Sequence, residues 1–106
     1  MERSVVRVWV AGKERPAIAI EVRMDFIRVV YGTTESRNWP GEVVNADTRQ
    51  GRRLDLRETT YFYGANTSWE RAEGVRSIGQ TCSWELFFAL RRLVEDWDSQ
   101  VLERDE

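Results

Sequence analysis

The sequence predicts a mainly β fold, in which a small, strongly bent antiparallel sheet or barrel carries a single helix at its C-terminal end. Short alternating or β-branched apolar segments, separated by turn residues, fill most of the chain before Cys82. One stretch after Cys82 has its apolar residues at helical spacing instead. Because 106 residues is the length of one domain, we expect the two kinds of element to share a core.

The first three segments indicate an antiparallel meander. Residues 4–10 alternate between two faces, which is typical of a strand. A polar turn at residues 11–14 precedes a second strand that opens at Arg15 and Pro16, since proline is accepted at the start of a strand. Residues 26–31 are β-branched and aromatic, and they predict a third strand after a tight connection.

The middle of the chain is polar and rich in turn residues, so its elements are predicted to be short. The sequence predicts a loop at residues 32–41, a strand at 42–44, a turn or hairpin tip at 45–53, strands at 54–56 and 59–63, and a strand followed by a turn across 69–78.

The C-terminal helix has the clearest pattern. Ser83 is a good N-cap, and Glu85 would place a carboxylate in the first turn. Apolar residues then recur at helical spacing, at Leu86, Leu90, Leu93 and Trp97. We therefore expect one domain over residues 1–97, with an amphipathic helix at about 83–97 packed on the sheet, and an acidic tail over residues 98–106.

Charge is divided unevenly along the chain, whose net charge is −2. Residues 95–106 carry six acidic side chains and one basic one, whereas residues 1–94 carry 15 basic and 12 acidic side chains. A basic body with an acidic tail is typical of nucleic-acid binding, although small proteins often scatter charge in this way without such a role.

The composition excludes several kinds of chemistry. The chain has no histidine and one cysteine, Cys82, so it can form neither an internal disulfide nor a His-based ribonuclease site. We expect no metal and no other cofactor. Cys82 lies at a helix start, where its pKa could be lowered, but without histidine we expect no role as a nucleophile. The absence of a signal-like segment or a long apolar run predicts a cytoplasmic protein with no membrane partner.

Two polar side chains are expected to meet at one edge of the sheet. Arg15 starts the second strand and Thr33 follows the third, so hairpin geometry brings them together. A guanidinium beside a hydroxyl makes an anion site. The simpler alternatives are turn residues at Thr33 and Thr34 and a surface ion pair of Arg15. The candidate ion-pair partners are Glu14, Glu35 and Glu42.

Two stretches resemble the MazF/PemK toxin family. The run RPAIAI at residues 15–20 is similar to the family's Arg-Pro-Ala-Leu/Val-Val-Leu strand. Residues 30–44 resemble its strand end with a Thr-Thr or Thr-Ser pair, its loop with an aromatic-Pro pair and its returning Glu-Val-Val strand, and from Thr33 to Val44 the match needs no gap. The later strands and the helix match in type and order, so the resemblance covers about residues 5–95.

The resemblance implies an SH3-like barrel that forms a homodimer, binds a small antitoxin protein and cuts single-stranded RNA without a metal. In that reaction a ribose 2′-hydroxyl attacks the adjacent phosphate. By position, Arg15 would stabilise the phosphorane and assist proton transfer, and Thr33 would hold a phosphate oxygen. The RNA contacts implied nearby are Lys13, Thr34, Ser36, Arg37 and Trp39.

Other interpretations remain open at this stage. Trp39 could stack a base or fold back over the end of the barrel. Many family members have a longer loop between the first two strands, and its shortness here favours a non-catalytic barrel that binds nucleic acid or a protein partner as the alternative function. A third interpretation is an interaction module whose helix or acidic tail docks on a partner.

The aromatic residues of the helix are expected to make core or dimer contacts. They are Trp84, Phe87, Phe88 and Trp97.

Overall fold

A curled sheet of six antiparallel strands carries a long helix across one face. The computed structural model describes residues 1–105. The elements are β1 (Ser4–Val10), β2 (Lys13–Arg23), β3 (Phe26–Thr33), β4 (Gly41–Val44), α1 (Arg49–Arg53), β5 (Thr60–Arg71), β6 (Arg76–Thr81) and α2 (Trp84–Asp105). The strand order is β4-β5-β3-β2-β1-β6, which places β4 and β6 at the two edges.

The predicted meander of β1, β2 and β3 is confirmed. Ala11 and Gly12 join the first two strands, with φ angles of 52° and 78°. Met24 and Asp25 join the next two, and Met24 has a φ of 52°. Left-handed residues of this kind close tight hairpins because their twist matches that of the flanking strands.

Register shifts bend this sheet. They occur in the pairing of β1 with β6, of β2 with β3, and of β3 with β5. An irregularity in the ladder raises the local twist and bends the strand. The long strands β2 and β5, of 11 and 12 residues, therefore curl the sheet, and the predicted mainly β class with a C-terminal helix is confirmed.

Both faces of the sheet are buried. The first core lies between the sheet and α2 and contains Val5, Ile18, Ile20, Val30, Val44, Leu54, Phe62, Cys82, Leu86, Phe87, Leu90 and Val94. The second lies on the opposite face and contains Val6, Val8, Ala17, Ala19, Ile27 and Val29. The partly buried Val10, Tyr31 and Val75 pack against this second core.

Helix α2 begins as predicted and ends later. The Ser83 hydroxyl accepts a hydrogen bond from the Leu86 amide at 3.1 Å, which confirms the N-cap. The predicted end near residue 97 falls within the helix, which continues to Asp105. The Asp98 carboxylate accepts two hydrogen bonds of 2.7 Å from Arg28 on β3, and this contact ties the predicted start of the tail to the sheet. Neither helix of residues 1–105 is long and apolar enough to cross a membrane.

The segment between β4 and β5 differs most from the sequence prediction. Helix α1 forms where a turn or hairpin tip was predicted, because the Thr48 hydroxyl caps it by accepting the Gly51 amide at 3.0 Å. The predicted strand at residues 54–56 is wrong: Leu54 ends α1, and Asp55 has a φ of 54°. The Leu-Asp-Leu alternation of this segment arises because Leu54 and Leu56 both pack on the first core. The following strand, β5, is longer than predicted.

Candidate functional site

The start of β2 and the end of β3 form a small cleft, which we call the Arg15 cleft. The pairing of Ala17 with Tyr31, continued by two residues, places Arg15 opposite Thr33. The cleft has a volume of about 260 Å³. Its lining includes four residues predicted for the site: Lys13, Arg15, Thr33 and Thr34. Hairpin geometry therefore brings together both predicted catalytic residues and two predicted RNA contacts.

Arg15 is half-buried and has an unused hydrogen-bond donor. Its Nε is buried and has no hydrogen-bond partner within residues 1–105. Arg15 forms no ion pair with Glu14, Glu35 or Glu42 among residues 1–105. Glu14 pairs instead with Arg76 at 2.9 Å, and Glu35 pairs with Arg37. A buried donor without a partner is costly in a folded protein, so Arg15 is suited to an anionic ligand.

Thr33 combines a turn role with a free donor. Its Oγ1 accepts a hydrogen bond of 3.2 Å from the Glu35 amide, which is the turn chemistry considered as the alternative. A hydroxyl that accepts a bond keeps its own O–H for donation. Thr33 can therefore serve the loop and still donate to an anion in the cleft.

Glu58 also lines the Arg15 cleft, and sequence reasoning assigned it no role. It forms no ion pair within residues 1–105, whereas the nearby carboxylates of Glu14 and Asp55 do, with Arg76 and Arg7. The signal that could have revealed Glu58 is its position just before a strand that pairs with β3. The incorrect strand prediction at residues 54–56 obscured that position.

A second cleft of about 450 Å³ adjoins the first, and we call it the Arg7 cleft. The two clefts share five lining residues: Glu14, Pro16, Thr34, Glu58 and Thr60. Arg7 donates to the Leu54 carbonyl at 3.1 Å and to the Asp55 carbonyl at 3.2 Å, so it holds the wall of this cleft. Arg57 lines the cleft without a hydrogen-bond or ion-pair partner among the described residues, which leaves its charge available.

The remaining predicted RNA contacts lie in the loop after β3, and two of them form a separate group. Arg37 pairs with Glu35, and its guanidinium lies 4.7 Å from the centre of the Trp39 ring. Trp39 is 46% exposed, packs edge-on against Tyr63 at 5.5 Å and lines a different pocket, next to α2. Trp39 thus folds partly over the barrel, while Ser36 is exposed.

Cys82 is buried in the first core and has no accessible thiol. Burial raises the pKa of the Cys82 thiol to about 11, and the nearby charge of Arg3 only partly opposes this. The alternative of a lowered pKa at the helix start is therefore wrong.

In the part of the chain that the structure describes, no three acidic or cysteine side chains cluster in a way that could hold a metal ion.

Neither a known protein-family model nor a curated protein sequence matches this chain.

Proposed function

We propose that the protein is an endoribonuclease that cuts single-stranded RNA without a metal, at the Arg15 cleft. The observation that carries the proposal is the buried, unpartnered Nε of Arg15 in a cleft shared with Thr33. A guanidinium fork and a hydroxyl are matched to phosphate oxygens. The resemblance of residues 15–20 and 30–44 to the MazF/PemK family supports the same assignment.

The reaction needs three tasks that these residues can divide. Glu58 accepts the proton of the ribose 2′-hydroxyl, and the resulting oxygen attacks the adjacent phosphorus. Arg15 stabilises the charge of the phosphorane, and Thr33 donates to one of its oxygens. The bond from phosphorus to the 5′-oxygen then breaks, and that oxygen takes a proton from solvent. The products are a 2′,3′-cyclic phosphate and a free 5′-hydroxyl.

The test is cleavage of single-stranded RNA by the purified protein with a metal chelator present. We expect cyclic-phosphate ends from the wild type and a rate about 100- to 1,000-fold lower for Arg15→Ala, which removes a preorganised donor. Arg23→Ala is the matched control, because Arg23 is exposed and lies at the far end of β2. Failure of the wild type to cut, or equal rates for wild type and Arg15→Ala, would contradict the proposal.

A non-catalytic nucleic-acid binding role is the second candidate. Two residues, Ala11 and Gly12, join β1 and β2, so little chain is present there to cover a substrate. The available charge of Arg57 would serve binding alone. This candidate predicts that RNA is retained, that retention weakens steeply with salt, and that no product forms.

The resemblance also supports proposals about assembly and location. A homodimer, a small antitoxin protein as partner and a cytoplasmic location would fit a toxin of this kind. Sedimentation of the purified protein tests the dimer directly, since a monomer at all concentrations would exclude it.

A further inference from the structure

An exposed aromatic pair lies at the start of α2, outside both clefts. The rings of Trp84 and Phe88 stack with centres 5.6 Å apart and an angle of 23° between their planes. These side chains are 58% and 57% exposed. Two large rings held together and open to solvent favour a binding role, since scattered single apolar residues are the ordinary case.

Arginines border this pair. The guanidinium of Arg3 lies 3.9 Å from the centre of the Trp84 ring. Arg3 and Arg53 both donate to the Thr81 hydroxyl, at 3.2 and 3.5 Å. Arg3 also donates to the Cys82 carbonyl at 3.1 Å. Neither arginine forms a salt bridge within residues 1–105, so no carboxylate there neutralises either charge.

The charge around the rings favours an anionic partner. Arg3 and Arg53 flank the rings, and Arg91 and Arg92 follow them on α2, whereas the carboxylates of Glu2, Glu42 and Glu85 lie on the same part of the molecule, so that four cations face three carboxylates. We call Arg3, Arg53, Trp84 and Phe88 the Trp84 surface. It combines planar apolar faces with positive charge, which are the two components of a platform for single-stranded nucleic acid.

The Trp84 surface and the Arg7 cleft are connected by two short stretches of chain. Arg53 lies two residues before Asp55, which lines that cleft. Strand β6 also connects the two, since Arg76 lines the cleft and Thr81 holds the arginines of the surface. Thr81 lies five residues after Arg76, a separation of at most about 17 Å along the strand. One strand of nucleic acid could therefore contact both regions.

We propose that Trp84 and Phe88 stack bases of a single-stranded nucleic acid whose phosphates contact Arg3 and Arg53. The inference rests on the proposed function in one respect, that another segment of the same strand occupies the Arg15 cleft. Every base has a π face, so the Trp84 surface adds affinity for long strands without adding sequence preference.

The experiment measures binding of fluorescent 2′-O-methyl oligonucleotides, which lack the attacking hydroxyl and so cannot be cut by the proposed reaction. Strands of about 4 and about 12 nucleotides bracket the length needed to reach from cleft to surface. We expect Trp84→Ala to bind the long strand about tenfold more weakly and the short strand unchanged. Arg53→Ala should lower the slope of log affinity against log salt by about 0.7.

The matched control is Trp69→Ala, because Trp69 is also exposed, at 40%, but lies on β5 beside the β2–β3 hairpin. It should bind both strands as the wild type does. Phe88→Ala repeats the test on the second ring if Trp84→Ala fails to fold by circular dichroism.

Equal long-strand affinity in wild type, Trp84→Ala and Phe88→Ala overturns the inference, as does a wild type that binds no oligonucleotide. Loss of self-association or of acidic-peptide binding in Trp84→Ala, with oligonucleotide binding unchanged, assigns the surface to that partner and also overturns it. Cleavage of ordinary RNA is scored separately. Normal oligonucleotide binding without cleavage contradicts the proposed function and leaves this inference standing.

Discussion

Two arginines on neighbouring strands have opposite environments. Arg28 on β3 makes three hydrogen bonds, one of 3.1 Å to Thr67 and two of 2.7 Å to Asp98, and the bonds to Asp98 raise the pKa of Arg28 above its usual value. Arg15 on β2 leaves a buried Nε without a partner within residues 1–105. Arg28 therefore ties α2 to the sheet, whereas Arg15 keeps a hydrogen-bond donor that a ligand can use.

The contrast separates the side of the sheet covered by α2 from the Arg15 cleft. On the covered side each guanidinium nitrogen of Arg28 donates one hydrogen bond, and the result is stability. In the Arg15 cleft the Nε of the same chemical group is buried without a partner, an arrangement that costs stability and suits a binding role. Substitutions on the two sides should therefore affect different measurements.

The largest effect is expected at Arg15. Arg15→Ala should lower the cleavage rate about 100- to 1,000-fold, because it removes charge stabilisation of the transition state. Its free energy of unfolding should not fall, because the deleted Nε makes no hydrogen bond within residues 1–105. Cleavage kinetics and urea unfolding check the two halves, and a large loss of stability would place Arg15 with Arg28 as a structural residue.

Glu58→Gln should lower the rate about 100-fold or more, since an amide cannot accept the proton of the 2′-hydroxyl. Oligonucleotide binding should persist, because the amide keeps the size of the side chain. Cleavage kinetics at saturating RNA check the role, because the loss should fall on the rate of the bound complex and leave the affinity unchanged. The exposed Glu73, on the turn before β6, provides the control Glu73→Gln. Equal cleavage rates for Glu58→Gln and Glu73→Gln would exclude the role of proton acceptor.

Asp98→Asn should lower the free energy of unfolding by about 1–2 kcal/mol, since it weakens two charge-assisted hydrogen bonds. The loss of free energy is no larger because the Asp98 side chain is 42% exposed, so water screens its attraction to Arg28. The cleavage rate of the folded protein should not change. Asp96→Asn is the matched control, because Asp96 lies on α2 and has no ion pair among the described residues. Equal stability of the two variants would show that the Arg28 contact does not fasten the helix.

The smallest effect concerns Cys82, also on the covered side. Its pKa of about 11 in the folded state compares with 9.0 for the free thiol, so the unfolded chain ionises first. The Cys82 contribution to stability is constant below about pH 9 and falls as the pH rises toward 11, by on the order of 1 kcal/mol near pH 10. Urea unfolding at several pH values checks this, and Cys82→Ala should lack this part of the pH dependence. The same slope in both proteins would contradict it.

Sequence reasoning succeeded where a periodic pattern had one structural solution. The alternation of residues 4–10 and the hairpins after it set the first three strands, and their order placed Arg15 and Thr33 at one edge. It failed at residues 54–56, where Leu-Asp-Leu has the spacing of a strand but follows a capped helical turn.

The rest of the site could not be predicted because it depends on contacts between distant residues. Glu58 reaches the Arg15 cleft through the path of the chain after α1. The end of α2 was misplaced near residue 97 because an acidic run was interpreted as a tail, while the partner of Asp98 lies on β3. Pairings of this kind depend on the folded topology and leave no local pattern.

The position of β1 between β2 and β6 has a consequence for synthesis on the ribosome. Arg7 on β1 pairs with Arg76 on β6, so the wall of the Arg7 cleft joins the first strand to the last. Contacts between such distant parts of a chain form late, because the intervening segment must be ordered first. The growing chain should therefore lack the wall contributed by β6 until that strand has left the exit tunnel, and a stalled fragment should lack this part of the Arg7 cleft.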